Sequence, residues 1–320
     1  MKGRVKISVS NGSLKYEFEL RRNITIIRGD SATGKTTLVE MIQEYYEAGS
    51  HSGITLECEK TCRVISGRDW RLILEATHDS IVFIDEGNSF LRSTDFSEAA
   101  QASDNYFVLV TREFLPNLPY SVDEIYGIRT SNKYAGLKQV YHELYHIYPP
   151  FDYSSVFTPE IVIVEDSNSG YEFFQSLADE KPYQVISAGG KAKMAQVIEE
   201  YPDKKILVIA DGSAFGSEMV RITEVAKQRG DIAIFLPESF EWLVLQSGTI
   251  QYGQLNSILE EPSNYIESRE YFSWERYFTH LLVEITRGTY LQYSKRKLNP
   301  AYRAEKIQKQ IINLIQKIEL

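Results

Sequence analysis

The run Asn23-Ile-Thr-Ile-Ile-Arg28, followed at once by Gly29-Asp-Ser-Ala-Thr-Gly-Lys-Thr36, decides how this chain is read. Its four central residues, Ile24-Thr-Ile-Ile27, are all β-branched and predict a buried strand. The eight from Gly29 to Thr36 fit G-x-x-x-x-G-K-[ST] at every fixed position. Gly29 and Gly34 let a loop wrap so that successive backbone N–H groups face a phosphate, and a helix starting near Lys35 adds its positive end. The phosphate-contacting set is therefore Gly29, Asp30, Ser31, Ala32, Thr33, Gly34, Lys35, Thr36 and Thr37. Downstream, Leu38, Met41, Ile42 and Tyr45 recur at helical spacing, so the context is strand, loop, helix.

A second apolar run, Ser80-Ile-Val-Phe-Ile-Asp85-Glu86, ends in two carboxylates. With Lys35 reaching β- and γ-phosphates and the Thr36 hydroxyl on Mg²⁺, Asp85 would complete the metal shell and Glu86 would orient or deprotonate a water. The plainer reading is a surface acidic pair after a core strand. A third run, Tyr106 to Thr111, also ends in a polar residue and is followed by Arg112. Thr111 is either a γ-phosphate contact or a strand-end cap. Arg112 and Arg129 are either arginine fingers or ordinary surface charges.

These motifs resemble the Walker A and B signatures of P-loop ATPases. The resemblance implies an N-terminal P-loop NTPase domain with ATP and Mg²⁺ as cofactors. No LSGGQ-like signature separates the two motifs, and no [NT]-K-x-D stands at a strand end, which makes adenine the default base. Around this core, Val5–Ser8 and Leu14–Leu20 flank Asn11-Gly12 as a hairpin. A closing hairpin turns at Ser131-Asn132-Lys133, and Tyr148-Pro149-Pro150 reads as a linker.

Beyond it, Pro159-Glu-Ile-Val-Ile-Val-Glu165-Asp166 restarts the pattern. Strands at Gln184–Ser187, Lys205–Asp211 and Asp231–Leu236 alternate with helical segments, which predicts a parallel sheet with helices on both faces. Functional groups of such sheets gather at the carboxyl ends of the strands. Glu165, Asp166 and Asp211 all stand there.

This half resembles the Toprim domain of topoisomerases, primases and OLD-family nucleases, which carries a glutamate after its first strand and D-x-D-x-x-G after its third. Glu165, Asp211 and Gly216 match; Ser213 replaces the second aspartate. The resemblance implies Mg²⁺ at Glu165 and Asp211 for phosphodiester chemistry, with Glu238 or Glu241 making up for the lost carboxylate. Two other readings stay open. A two-component receiver would use Glu165, Asp166 and Asp211, although its fifth strand and lysine are not evident. A Rossmann-like scaffold would use the same acids for capping or partner binding.

The last hundred residues read as helical. Tyr277, Phe278, Leu281, Leu282 and Ile285 form one stripe over 272–285, and Ile307, Ile311, Leu314, Ile315 and Ile318 another over 302–318. The expected organisation is 1–150, 158–250 and a helical extension over 251–320, α/β throughout.

The composition agrees with this plan. The 320 residues carry 43% hydrophobic and 25% charged side chains, ordinary globular usage that excludes wholesale disorder. The net charge of −9 is uneven, because Arg287 to Leu320 holds eight basic residues against two acidic ones. That tail, with Lys295-Arg296-Lys297, is either a solvated positive face, the more frequent outcome of such a run, or the place where a polyanion would touch. Cys58 and Cys62 lack a second pair to complete a zinc site and read as reduced thiols. The N-terminus has no apolar stretch behind its basic start, and no apolar run approaches the ~20 residues of a membrane span. A cytoplasmic protein with no membrane contact and a possible homo-oligomeric state is the expectation.

An ATPase joined to a Toprim-like domain resembles OLD-family nucleases and bacterial anti-phage proteins of the same plan. It implies an ATP-hydrolysing protein with Glu86, Lys35, Glu165 and Asp211 as catalytic residues. Metal ligands would be Thr36, Asp85, Glu165, Asp211 and Glu241, and nucleic acid the partner. The alternative, favoured by Ser213, is an NTP-dependent switch whose second domain binds a partner without cutting.

Overall fold

A computed structural model describes residues 1–30, 33–131, 139–149, 155–179 and 181–320. Ser31, Ala32, the turn at Asn132-Lys133 and Pro150 lie outside the described residues. The chain is α/β and splits into two compact units, Met1–Pro149 with Glu261–Phe272, and Pro150–Glu260 with Ser273–Leu320. This differs from the three consecutive segments expected. The 261–272 segment is held to unit 1 by Gly3 N donating to Ser263 O (2.7 Å), Ser268 N to Met1 O (2.9 Å) and Asn23 Nδ2 to Phe272 O (2.6 Å). The remaining C-terminal residues belong to unit 2 and form no domain of their own.

In unit 1 the strands are β1 (Val5–Ser10), β2 (Leu14–Leu20), β3 (Ile24–Ile27), β4 (Thr55–Glu57), β5 (Thr61–Val64), β6 (Ser80–Ile84), β7 (Tyr106–Val110), β8 (Ile125–Ser131) and β9 (Val140–His146). The helices are α1 (Lys35–Ala48), α2 (Trp70–Glu75) and α3 (Thr94–Ala102). Among the described residues the strands make one sheet in the order β4-β1-β2-β9-β8-β3-β7-β6-β5. The hairpin between β1 and β2 forms as expected, with the Asn11 side-chain oxygen accepting from Ser13 N (2.9 Å) and Leu14 N (2.8 Å). Every residue of β3, β6 and β7 is buried, because helices or chain cover both faces of a parallel sheet.

Register then sets the site. Strand β7 lies between β3 and β6, parallel to both, with Ile27 opposite Val110 and Leu109 opposite Ile84. The residues leaving β3, β7 and β6 therefore emerge side by side at one end of the sheet.

In unit 2, β10 (Ile161–Val164), β11 (Gln184–Ser187), β12 (Ile206–Ile209) and β13 (Ile232–Phe235) make a parallel sheet in the order β11-β10-β12-β13. Helices α4 (Ser169–Leu177), α5 (Met194–Glu199) and α6 (Met219–Arg229) connect them, followed by α7 (Phe240–Gln246), α8 (Leu255–Glu260), α9 (Trp274–Thr286) and α10 (Glu305–Ile312). The last helix is shorter than the 302–318 stripe predicts. The chain beyond it pairs with Phe157, whose N donates to Lys317 O (2.9 Å) and whose O accepts from Glu319 N (3.0 Å), and strand-like pairing excludes a helix there. Among the described residues, no helix is long and apolar enough to cross a membrane.

Candidate functional site

Two strand-end sites emerge, one in each unit. In unit 1, Gly29 follows β3 with a φ of 140°, and Gly34 sits at φ 91° as the N-cap of α1. Gly34 has a second constraint, since a Cβ there would lie 2.6 Å from the Tyr16 hydroxyl, which donates to Gly34 O at 3.0 Å. The Tyr16 ring in turn stacks on His142, with centroids 4.7 Å apart. Neither residue was legible as part of the site, because β2 and β9 reach it only through long-range pairing.

Lys35 is buried at the first turn of α1. Its ammonium donates to Gly29 O (2.9 Å), Asp30 O (2.6 Å) and Thr33 Oγ1 (3.1 Å). Burial and then the Arg112 guanidinium pull its pKa below the usual lysine range, against the pull of Glu86, Asp30 and Asp85. Thr36 is exposed, Thr37 half-buried. At the end of β6, Asp85 Oδ1 accepts from Glu86 N (2.8 Å), and Asn88 Nδ2 donates to Asp85 O (2.9 Å). At the end of β7, the buried Thr111 donates its N–H to Ile27 O (3.1 Å), and its hydroxyl accepts from Glu113 N (3.0 Å).

Arg112 pairs with Glu86 through both of its arms, Nε to Oε2 at 3.2 Å and Nη2 to Oε1 at 3.3 Å. Arg129, the other finger candidate, pairs instead with Glu143 on the neighbouring strand (2.8 Å) and stacks on Tyr145. Cross-strand pairing on β8 and β9 accounts for it. A cavity of about 420 Å³ elsewhere in unit 1, lined by Arg71, Leu74, His78, Asp104 and Arg269 among others, includes none of the loop residues.

In unit 2, Glu165 leaves β10 and Asp211 leaves β12, its neighbour. Glu165 N donates to Ile209 O (3.0 Å), and Glu165 Oε2 accepts from Asp211 N (3.1 Å). Gly212 follows because a Cβ there would lie 2.8 Å from Leu236 O and 2.9 Å from Pro237 O. Glu241, on α7, is buried and accepts from the Tyr293 hydroxyl (2.8 Å), with the Lys295 ammonium 3.8 Å away. Lys295 also pairs with Glu275 at the start of α9. Glu165, Asp211, Glu241 and Lys295 line one pocket of about 20 Å³, room for about one water-sized particle. Burial pushes Glu165 up to about 7, and burial followed by Glu275, Glu165 and Glu241 pushes Asp211 well above the ordinary carboxylate range.

The site so assembled contains Glu275, Tyr293 and Lys295, none of which the sequence marks as a partner of Glu241. Ser213, in the expected position of a second aspartate, is buried, and among the described residues its hydroxyl has no hydrogen-bond partner. Among the described residues, no group of three or more His, Cys, Asp or Glu side chains is arranged to hold a metal ion. Glu241, the expected replacement ligand, is engaged by Tyr293 and Lys295 instead.

Comparison with known proteins finds no family model that matches the chain and no curated protein similar to it.

Proposed function

We propose that unit 1 is a P-loop ATPase and that unit 2 is a Toprim-like domain acting on nucleic acid. The observation that carries the first part is the convergence of Gly29, Gly34-Lys35-Thr36, Asp85-Glu86 and Thr111-Arg112 on adjacent parallel strand ends, set by the registers of β3, β7 and β6.

A nucleoside triphosphate fits the residues there. The two positive-φ glycines free the loop backbone to bend around a phosphate, and α1 points its N-terminus at the same place. Bound ATP with Mg²⁺ supplies a transferable phosphoryl group and a Lewis acid. Lys35 would exchange its loop carbonyls for phosphate oxygens, Thr36 and Asp85 would hold the metal, and Glu86 would accept a proton from water. Phosphate release measured on the parent and on Glu86→Gln tests this. The variant should bind ATP at least as tightly as the parent and lose turnover by about 10²-fold or more.

For unit 2, the supporting observation is that Glu165 and Asp211 meet at the ends of neighbouring strands, with Glu241 and Lys295 lining the same pocket. A Mg²⁺- or Mn²⁺-dependent nicking assay on supercoiled DNA, with Glu165→Ala and Asp211→Ala as controls, tests the assignment. A second reading rests on Ser213 and on the engagement of Glu241: unit 2 binds a partner without cutting, and unit 1 is the switch. Cutting by the parent that both alanine variants abolish would rule out that reading. No cutting in either metal, with or without ATP, would leave it standing.

A further inference from the structure

The Glu86–Arg112 pair needs a reason beyond fold stability. The two side chains are 38% and 50% exposed, and solvent screens such a pair so that it adds little to stability. Yet the geometry is a fork, with each of two guanidinium nitrogens facing a different carboxylate oxygen. That arrangement takes up both oxygens of the group assigned to receive a proton from water, so water and guanidinium compete for the same lone pairs.

A guanidinium binds a carboxylate and a phosphate through the same planar pair of donors, which makes one anion exchangeable for the other. Arg112 is placed for such an exchange. It leaves β7 two residues after Val110, which lies opposite Ile27, and the glycine loop leaves β3 two residues after Ile27. Its charge is felt at the Lys35 ammonium more strongly than any other charged group's, so the two cations face the same space. Thr111, next to it, is tied by its N–H to the end of β3, which fixes where the Arg112 backbone sits relative to the loop.

We propose that Arg112 has two alternative anionic partners, the Glu86 carboxylate and the terminal phosphate of a nucleoside triphosphate, and that a triphosphate but not a diphosphate releases Glu86 from it. This rests on the ATPase reading of unit 1. Arg112 then senses the γ-phosphate in its own chain, and Glu86 becomes available as a base when the substrate is in place.

The test is equilibrium titration of a non-hydrolysable ATP analogue and of ADP into the parent, Arg112→Ala, Arg112→Lys, Glu86→Gln and the Arg112→Ala/Glu86→Gln double variant, each checked for an unchanged thermal midpoint. The preference for triphosphate over diphosphate should fall about tenfold in Arg112→Ala and be partly restored in Arg112→Lys. Glu86→Gln, which weakens the competing partner, should tighten the triphosphate several-fold without changing ADP, and only when Arg112 is present. An unchanged triphosphate preference in Arg112→Ala, or an effect of Glu86→Gln that persists without Arg112, would overturn the exchange while leaving the ATPase reading intact. Failure of the parent to bind either nucleotide would overturn that reading and the exchange with it.

Discussion

The two strand-end sites are built on the same principle and filled with opposite chemistry. At the end of β3, β6 and β7, cations and anions interleave: Lys35 is held by loop carbonyls, Arg112 by Glu86, and Asp85 by its own turn. At the end of β10 and β12, Asp211, Glu241 and Glu275 surround Lys295 with Glu165 beside Asp211, and burial followed by the neighbouring carboxylates raises Glu165 and Asp211 toward the protonated state. A parallel sheet provides the same platform both times. What differs is whether opposite charges alternate at the strand ends or negative charge is concentrated in a pocket of about 20 Å³.

The contrast can be broken most sharply by removing single groups. Asp211→Ala should abolish any metal-dependent nicking while leaving phosphate release from ATP at the parental rate; loss of both activities would show that the two ends do not work separately. Next in size are the glycines. Gly34→Ala places a Cβ at φ 91° and against Tyr16, and Gly212→Ala drives one into the Leu236 and Pro237 carbonyls. Each should cost about 1–3 kcal/mol in chemical denaturation. Gly12→Ala, with nothing within 4 Å, should be close to neutral and serves as the control.

The smallest effect is the pH dependence that His142 contributes in unit 1. Burial lowers the pKa of His142 beneath Tyr16, so the folded chain binds fewer protons there than the unfolded one. Stability from this group is therefore present above its unfolded pKa of about 6.5 and is lost as pH falls through that value toward the folded one. His142→Gln should flatten the fall in the urea midpoint between pH 7 and pH 5; an unchanged slope would assign the dependence elsewhere.

How much of this was legible in the sequence follows from burial. β3, β6, β7, β10, β12 and β13 read as continuous apolar runs because both faces of each are covered. β4 and β5 gave no such signal, since Thr55-Leu-Glu57 and Thr61-Cys-Arg-Val64 are the two edges of their sheet and keep exposed residues. The β2–β9 pairing, which brings His142 under Gly34, joins residues more than a hundred positions apart and leaves no local trace. The same holds for the second site. Glu165 and Asp211 are readable as strand-end acids, whereas Lys295 reads as part of a basic run and only folding turns it toward Glu241 and Glu275. Arg112 was visible as a candidate finger, but its pairing with Glu86 was not, because nothing in either segment specifies that β6 and β7 are neighbours.

Calorimetric titration of Mg-ATP into the parent and Lys35→Ala tests whether the Gly29–Thr37 loop binds the phosphates of ATP through Lys35. The account predicts saturable one-site binding by the parent and at least a tenfold loss of affinity in a folded Lys35→Ala. Equal binding by the two, or no binding by either, would contradict it.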